Sequence, residues 1–277
     1  MQLTIITVCK DDRDGLERTI ESLERQTCRQ FEYIVVDGAS QDGSVEVIRR
    51  HEETITRWVS QKDNGVYEAM NKGVAMAHGE WCLFMNAGDE LYAADTIERL
   101  LGDAGLWTAD LIVGQASMVR DGRQLSVTVP PATLTTGWLL ASSVLHQAAL
   151  MRTSLLREHP YDERLRLVAD WKHMLERHLS RRPYTYTTTA VMICRFDTTG
   201  MSSNTSRRLA ERDSVLRELL PPVVYDEYKR HESLKALWLT PRLLEVLTEA
   251  CRYRHMVKWL TRGLPIVTWL YRRVKGL

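Results

Sequence analysis

The sequence has almost no excess of either charge: 37 Lys and Arg stand against 36 Asp and Glu, a formal net charge of +1. Nucleic-acid binders show a basic surplus, so that class gains no support. No Cys-x-x-Cys pair is present. Cys9, Cys28, Cys82, Cys194 and Cys251 are scattered along the chain, which is neither a disulfide framework nor a zinc knuckle and fits a reducing compartment. No apolar run reaches the roughly 18 residues of a spanning helix. Neither a basic segment nor a cleavage site precedes Leu3–Val8, so no signal peptide is expected. A Walker loop and a Gly-x-Gly-x-x-Gly after the first strand are both missing, which removes the fingerprints of kinases and dinucleotide enzymes. A Gly-x-Ser-x-Gly elbow is missing too, which argues against an α/β-hydrolase. The remaining composition, 44% hydrophobic and 26% charged over 277 residues, is that of a globular chain of one large domain or one and a half.

What is present is an alternation of strands and helices. Residues 3–8 are β-branched and apolar, a buried strand. Asp14 precedes a helical pattern with Leu16, Ile20 and Leu23 on one face. Strands are expected at 33–36, 56–60 and 81–85, with helices at 45–50 and 67–77 between them. This spacing predicts βαβ units and a mostly parallel sheet, whose ligands bind beyond the carboxyl ends of the strands. The polar clusters 7–12, 37–43, 60–65 and 86–90 fall at those ends. Farther on, strands are expected at 111–113, 115–119 and 125–129, with Asp121-Gly122 as a hairpin turn. An apolar stretch at 136–157 is expected to cover the site. A helix at 168–178 and a strand at 184–193 follow, then a mostly helical segment from 204 onward, broken at Pro221-Pro222, Pro241 and Pro265.

The strand ends supply carboxylates and amides: Asp11, Asp37, Asp63, Asn86 and Asp89. Such groups suit ribose hydroxyls, base N–H groups and a hard divalent cation holding a diphosphate. Asp42 reads as a turn and cap residue. Lys10 and Lys72 read equally well as solvated charges or as diphosphate partners.

Four stretches in order carry a resemblance: Ile5–Asp11, Tyr33–Gly43, Asp63–Gly73 and Gly79–Asp89. Together they resemble the inverting family 2 glycosyltransferases with the GT-A fold, densely over 3–91 and more thinly over 144–202. The second and third look most like the branch that builds bacterial exopolysaccharides, colanic-acid-type transferases included. The resemblance implies an α/β fold with a mostly parallel sheet flanked by helices and a helical C-terminal extension. A catalytic domain is expected over 1–203, its nucleotide-sugar half 1–110 and its acceptor half 111–203, with the extension over 204–277.

By the same resemblance Thr7, Lys10, Asp11, Asp37, Asp63, Asn71, Asn86, Ala87, Gly88 and Asp89 would bind the nucleotide sugar. Asp170, ahead of Trp171 at a helix start, would be the general base, and His146, Gln147 and Trp171 would line the sugar or acceptor pocket. Mg²⁺ or Mn²⁺ would sit on Asp89. Two departures stand out. Gly38 follows Asp37 where many members have a second acid that reads the base. Asn86-Ala87-Gly88-Asp89 stands where many have Asp-x-Asp-Asp, so only the last acid is kept; Mg²⁺ often takes only one or two protein carboxylates.

From Arg242 to Leu277 the chain turns basic, with Trp259, Ile266, Trp269 and Tyr271 among the cations and only Glu245 and Glu249 opposing them. Such a stretch can lie in an anionic membrane interface; its plain alternative is a helical pair packed on the catalytic domain or on a partner chain. The reading is a cytoplasmic enzyme, peripheral on the inner face of the plasma membrane, that transfers sugar from a nucleotide-diphosphate donor to a lipid-linked saccharide, with a homo-oligomer open. Its rivals are a sugar nucleotidyltransferase, which would be expected to show a Gly-rich loop after the first strand, and a non-catalytic nucleotide-sugar binder.

Overall fold

The computed structural model describes residues 2–198 and 205–238. Strands β1 (Leu3–Cys9), β2 (Glu32–Asp37), β3 (Arg57–Ser60) and β4 (Trp81–Phe84) run parallel in the order β3-β2-β1-β4. Every residue of β1 and β2 is buried, as a sheet covered on both faces requires. Helices α1 (Arg13–Glu24), α2 (Ser44–Arg50) and α3 (Val66–Met76) link them. On α1, Leu16, Ile20 and Leu23 fall at helical spacing and are fully buried with Leu3, Ile5 and Leu83. Each such side chain contributes about 1.5–3 kcal/mol. Side chains alternate across a strand, and α3 takes the face that Ile6 presents. Gly73 makes that approach possible: a Cβ there would lie 2.5 Å from Ile6 Cγ2.

The second half extends the same sheet. Its elements are β5 (Glu90–Leu91), α4 (Thr96–Gly102), β6 (Leu111–Arg120), β7 (Arg123–Thr128), α5 (Thr136–Ala141), a 3-10 turn at His146–Ala148, β8 (Ala149–Arg152), α6 (Thr153–Glu158), α7 (Ala169–Leu179) and β9 (Tyr186–Asp197). The order continues β4-β8-β6-β9-β5, with β7 against β6. β8 is antiparallel to both β4 and β6, while β9 runs parallel to β6. The mixed sheet flanked by helices is the α/β architecture expected from the sequence.

Two local expectations are corrected. Residues 111–113 and 115–119 form one strand, because the pairing with β9 absorbs an irregularity near Gly114 instead of breaking. The apolar stretch 136–157 is not one cover. It divides into α5, the 3-10 turn, β8 and α6, and its strand is buried between β4 and β6. The chain divides into two compact units between Val215 and Leu216. Helices α8 (Thr205–Leu219) and α9 (Pro222–Trp238) follow β9. The basic stretch Arg242–Leu277 lies outside the described residues. Among the described residues no helix is long and apolar enough to cross a membrane.

Candidate active site

The carboxyl ends of the parallel strands gather the polar groups. Asp37 closes β2 and is fully buried; its Oδ2 accepts from the Ser40 N–H at 3.0 Å and the Ser60 hydroxyl at 2.6 Å. Its Oδ1 is buried without a hydrogen-bond partner among the described residues. A buried acceptor left open costs about 1–3 kcal/mol, so this oxygen suits a ligand N–H or O–H. Gly38 lets Asp63 come close, since a Cβ there would lie 2.5 Å from Asp63 Oδ2. The other oxygen of Asp63 accepts from the Gly65 N–H at 2.9 Å. Asp11 accepts from the Gln41 N–H and Lys10 donates to the Ala39 carbonyl, each at 2.9 Å, so both tie the β1 end to the 39–41 loop. Asp42 accepts from the backbone N–H groups of Arg13 and Ser44, as a cap does.

After β4 the chain makes a tight turn over Asn86–Asp89, closed by Asp89 N–H to the Asn86 carbonyl at 3.0 Å. Gly88 takes φ +94° there, a conformation other residues adopt at a cost. Ala87 donates to the Val8 carbonyl at 3.1 Å. The Thr19 hydroxyl of α1 donates to the Asp89 carbonyl at 2.7 Å and accepts from Gly88 N–H at 3.0 Å. Asp89 itself is only 4% exposed. Gln147 Nε2 donates to one of its oxygens at 3.0 Å and the Asp197 N–H to the other at 3.2 Å. Burial pushes its pKa up to about 7, against the pull of Gln147, Asp197 N–H and His146. Each oxygen thus accepts one hydrogen bond and keeps a second lone pair; among the described residues no cluster of three His, Cys, Asp or Glu side chains is present. The cation expected on Asp89 would have this single carboxylate as its acidic ligand, a number that Mg²⁺ accepts.

Asp170, in the first turn of α7, is held on both sides. Tyr67 of α3 donates its hydroxyl to Oδ1 at 2.8 Å, and His146 Nδ1 lies 3.0 Å from Oδ2. The far nitrogen of His146 lies 3.3 Å from Asn86 Nδ2. Side chains of Asp170 and His146 are each 14% exposed. Burial alone would raise the pKa of Asp170, but the His146 and Tyr67 hydrogen bonds outweigh it, and the net shift is downward. Phe84, Tyr161 and His173 pack around this group, with Phe84 edge-on to His146.

Not every expected site residue faces this place. Thr7 is fully buried, its hydroxyl donating to the Met85 carbonyl and accepting from Tyr33. Asn71 is spent on the loop before α7, where it brackets the backbone of Tyr161. Trp171 is 2% exposed, donates to the Leu139 carbonyl at 2.7 Å and lies under Arg212, so it anchors α5 to α7 instead of lining a pocket. Tyr67 is the group sequence reasoning missed; a tyrosine on a buried helix face needs a partner for its hydroxyl, and that signal was available. A cavity of about 650 Å³ beside Gly88, lined by Arg18, Tyr92, Ser117, Gln124 and Arg195, was also unforeseen.

The family model of glycosyl transferase family 2 matches residues 4–140. A PGL/p-HBAD biosynthesis glycosyltransferase of Mycobacterium bovis (strain BCG / Pasteur 1173P2) is 35% identical over 161 residues, 56% of this chain. The match spans 61% of that relative's length. An uncharacterized glycosyltransferase of Mycobacterium tuberculosis (strain ATCC 25618 / H37Rv) is 32% identical over 214 residues, 73% of this chain and 77% of the relative. Among solved structures, S. aureus TarS 1-349 in complex with UDP-GlcNAc aligns at TM-score 0.55 and 18% identity, over 79% of this chain and 71% of that one. The mannosyltransferase PcManGT from Pyrobaculum calidifontis, in complex with GDP-Man and Mn²⁺, aligns at TM-score 0.55 and 17% identity, over 99% and 87%. The two solved structures speak for a shared GT-A fold, and with the family match and the 32% identical relative they lead to one conclusion: the chain belongs to glycosyl transferase family 2.

Proposed function

We propose that this protein is an inverting glycosyltransferase that moves a sugar from a nucleoside-diphosphate donor to a saccharide acceptor, with Asp170 as general base. The observation that carries the reading is the Asp170 carboxylate, partly exposed and kept ionised by Tyr67 and His146. An acceptor hydroxyl is a poor nucleophile until a carboxylate takes its proton. In a single displacement the acceptor oxygen bonds to the anomeric carbon and the proton passes to Asp170. The bond to the diphosphate oxygen breaks, and its electron pair leaves with the nucleoside diphosphate. Asp37, with its open buried oxygen, and Asp63 beside Gly38 are the nucleoside contacts. Asn86 and the Ala87–Gly88 backbone form the edge nearest the sugar.

Mg²⁺ or Mn²⁺, where bound, would be held by Asp89 and would spread the charge of the leaving diphosphate; the roles of the other residues do not depend on it. By analogy with the relative named for PGL/p-HBAD biosynthesis, and by the branch resemblance, the acceptor is a lipid-linked saccharide of the bacterial surface. The protein would then work at the inner face of the plasma membrane, held by the basic stretch beyond residue 240. A panel of UDP- and GDP-sugars, screened by thermal shift and then by transfer with and without chelator, tests this. Stabilisation by one donor with transfer lost in Asp170→Asn supports it. Transfer undiminished in Asp170→Asn overturns the base. Binding without turnover favours the non-catalytic rival, and pyrophosphate release from a nucleoside triphosphate and a sugar phosphate favours the nucleotidyltransferase.

A further inference from the structure

We propose that His146 is a positioning residue for the base: it donates Nδ1–H to Asp170 while the Asn86 amide holds its other nitrogen, so that the carboxylate and the turn beside the donor act as one unit. The inference rests on the reading of Asp170 as base and adds a role to a histidine otherwise placed only in the pocket wall.

The geometry narrows the choice of tautomer. His146 Nδ1 lies 3.0 Å from a carboxylate oxygen that also neighbours a hydroxyl donor on its twin. A bare Nδ1 would set a lone pair against that anion, so the proton belongs on Nδ1. Asn86 fits the other side in either charge state of the ring. Its Nδ2–H donates to a neutral Nε2 at 3.3 Å. Should the ring become an imidazolium, the amide can exchange ends, and Oδ1, buried and without a partner among the described residues, accepts Nε2–H. Either way the Nδ1–H bond to Asp170 survives. The logic is that of an oriented acid–base pair, in which a fixed hydrogen bond sets tautomer and direction.

Neighbours of Asp170 are Tyr67 from α3, Tyr161 from the loop before α7, His173 from α7 and His146 from the 3-10 turn. His146 also acts on Asp89 through space. Of these, His146 and Tyr67 donate directly to the carboxylate through their side chains.

Two measurements test the proposal on the full-length chain. Long-range ¹H–¹⁵N spectra of histidine-labelled protein, without any ligand, read the His146 tautomer. Protonated Nδ1 is expected in the wild type and in Asn86→Ala, with mixed tautomers in Asp170→Asn. A dominant Nε2–H form with bare Nδ1 overturns the proposal even if no donor is ever found. The second is the pH profile of transfer with whichever UDP- or GDP-sugar the panel yields. His146→Phe should lower kcat by about 10²-fold and move the acid limb of kcat/KM to higher pH, with donor KM near the wild type. His146→Asn, which keeps an N–H near Nδ1, should restore part of the rate and guards against a folding loss. If Asp170→Asn is inactive while His146→Phe keeps wild-type rate and acid limb, the positioning role fails and the base reading stands. Full activity in Asp170→Asn sinks the base reading instead.

Discussion

Burial among aromatic rings pushes a carboxylate toward its protonated form, and at the partly exposed Asp170 two donors reverse that push. The Tyr67 hydroxyl at 2.8 Å is one of them. Tyr67→Phe removes it without changing the ring, so the pKa of Asp170 should rise. A base must be ionised to work, so the acid limb of the transfer rate should shift to higher pH by about one to two units, since a charge-assisted hydrogen bond is worth roughly 1.5–3 kcal/mol. A pH profile superimposable on the wild type would remove Tyr67 from the account. Asp89 shows the opposite sign. Its native pKa, about 7, lies above the ordinary value of 3.8, so between those values the folded chain holds a proton that the unfolded chain has lost. Its contribution to stability is complete below the lower value and is lost as pH rises to the upper one. Asp89→Asn should therefore gain on the wild type by about 2–3 kcal/mol between pH 5 and pH 8, at about 1.4 kcal/mol per pKa unit. Urea unfolding of both proteins at the two pH values measures this; a difference that does not change with pH would contradict it. The motif marked Asp89 as important but could not reveal its surroundings, because Gln147 and the Asp197 N–H come from 58 and 108 residues away.

The turn Asn86–Asp89 is a rigid element because α1 stitches it at both ends through Thr19. Thr19→Val leaves the Gly88 N–H and the Asp89 carbonyl without that partner, and each such buried group costs about 1–3 kcal/mol. A fall in melting temperature with weakened donor binding is expected; unchanged values for both would show that the turn holds without the stitch. Gly38→Ala probes the nucleoside side differently. It sets a methyl 2.5 Å from Asp63 Oδ2, on a loop that can yield. Nucleotide affinity should fall several-fold with little change in melting temperature, as calorimetry with UDP and GDP would show. Intact affinity for both nucleotides would deny Asp63 its place at the donor. The βαβ elements were legible because their hydrophobic periods are local: Leu16, Ile20 and Leu23 declare α1, and the unbroken apolar run of β1 declares a strand. β8 was not legible. Ala149–Arg152 is short and sits inside an apolar stretch, and only pairing with β4 and β6 decides that it is a strand.

At the scale of the whole molecule the sheet places Asp37, Asn86 and Asp170 at one end, though they lie as far as 133 residues apart in sequence (37 to 170). Order of motifs along the chain made that convergence readable, while adjacency in a motif did not say which way a side chain turns: Trp171, Asn71 and Thr7 hydrogen-bond within the protein. The basic stretch beyond residue 240 belongs to this scale too. Truncation there should release the protein from vesicles rich in anionic lipid in a flotation assay; continued co-flotation would place membrane contact elsewhere. The most direct test of the central claim follows a single transfer reaction by NMR, using the donor selected from the UDP- and GDP-sugar panel and an acceptor saccharide. The account expects product of inverted anomeric configuration from the wild type and donor binding without product from Asp170→Asn. Product of retained configuration, or wild-type turnover by Asp170→Asn, would contradict it.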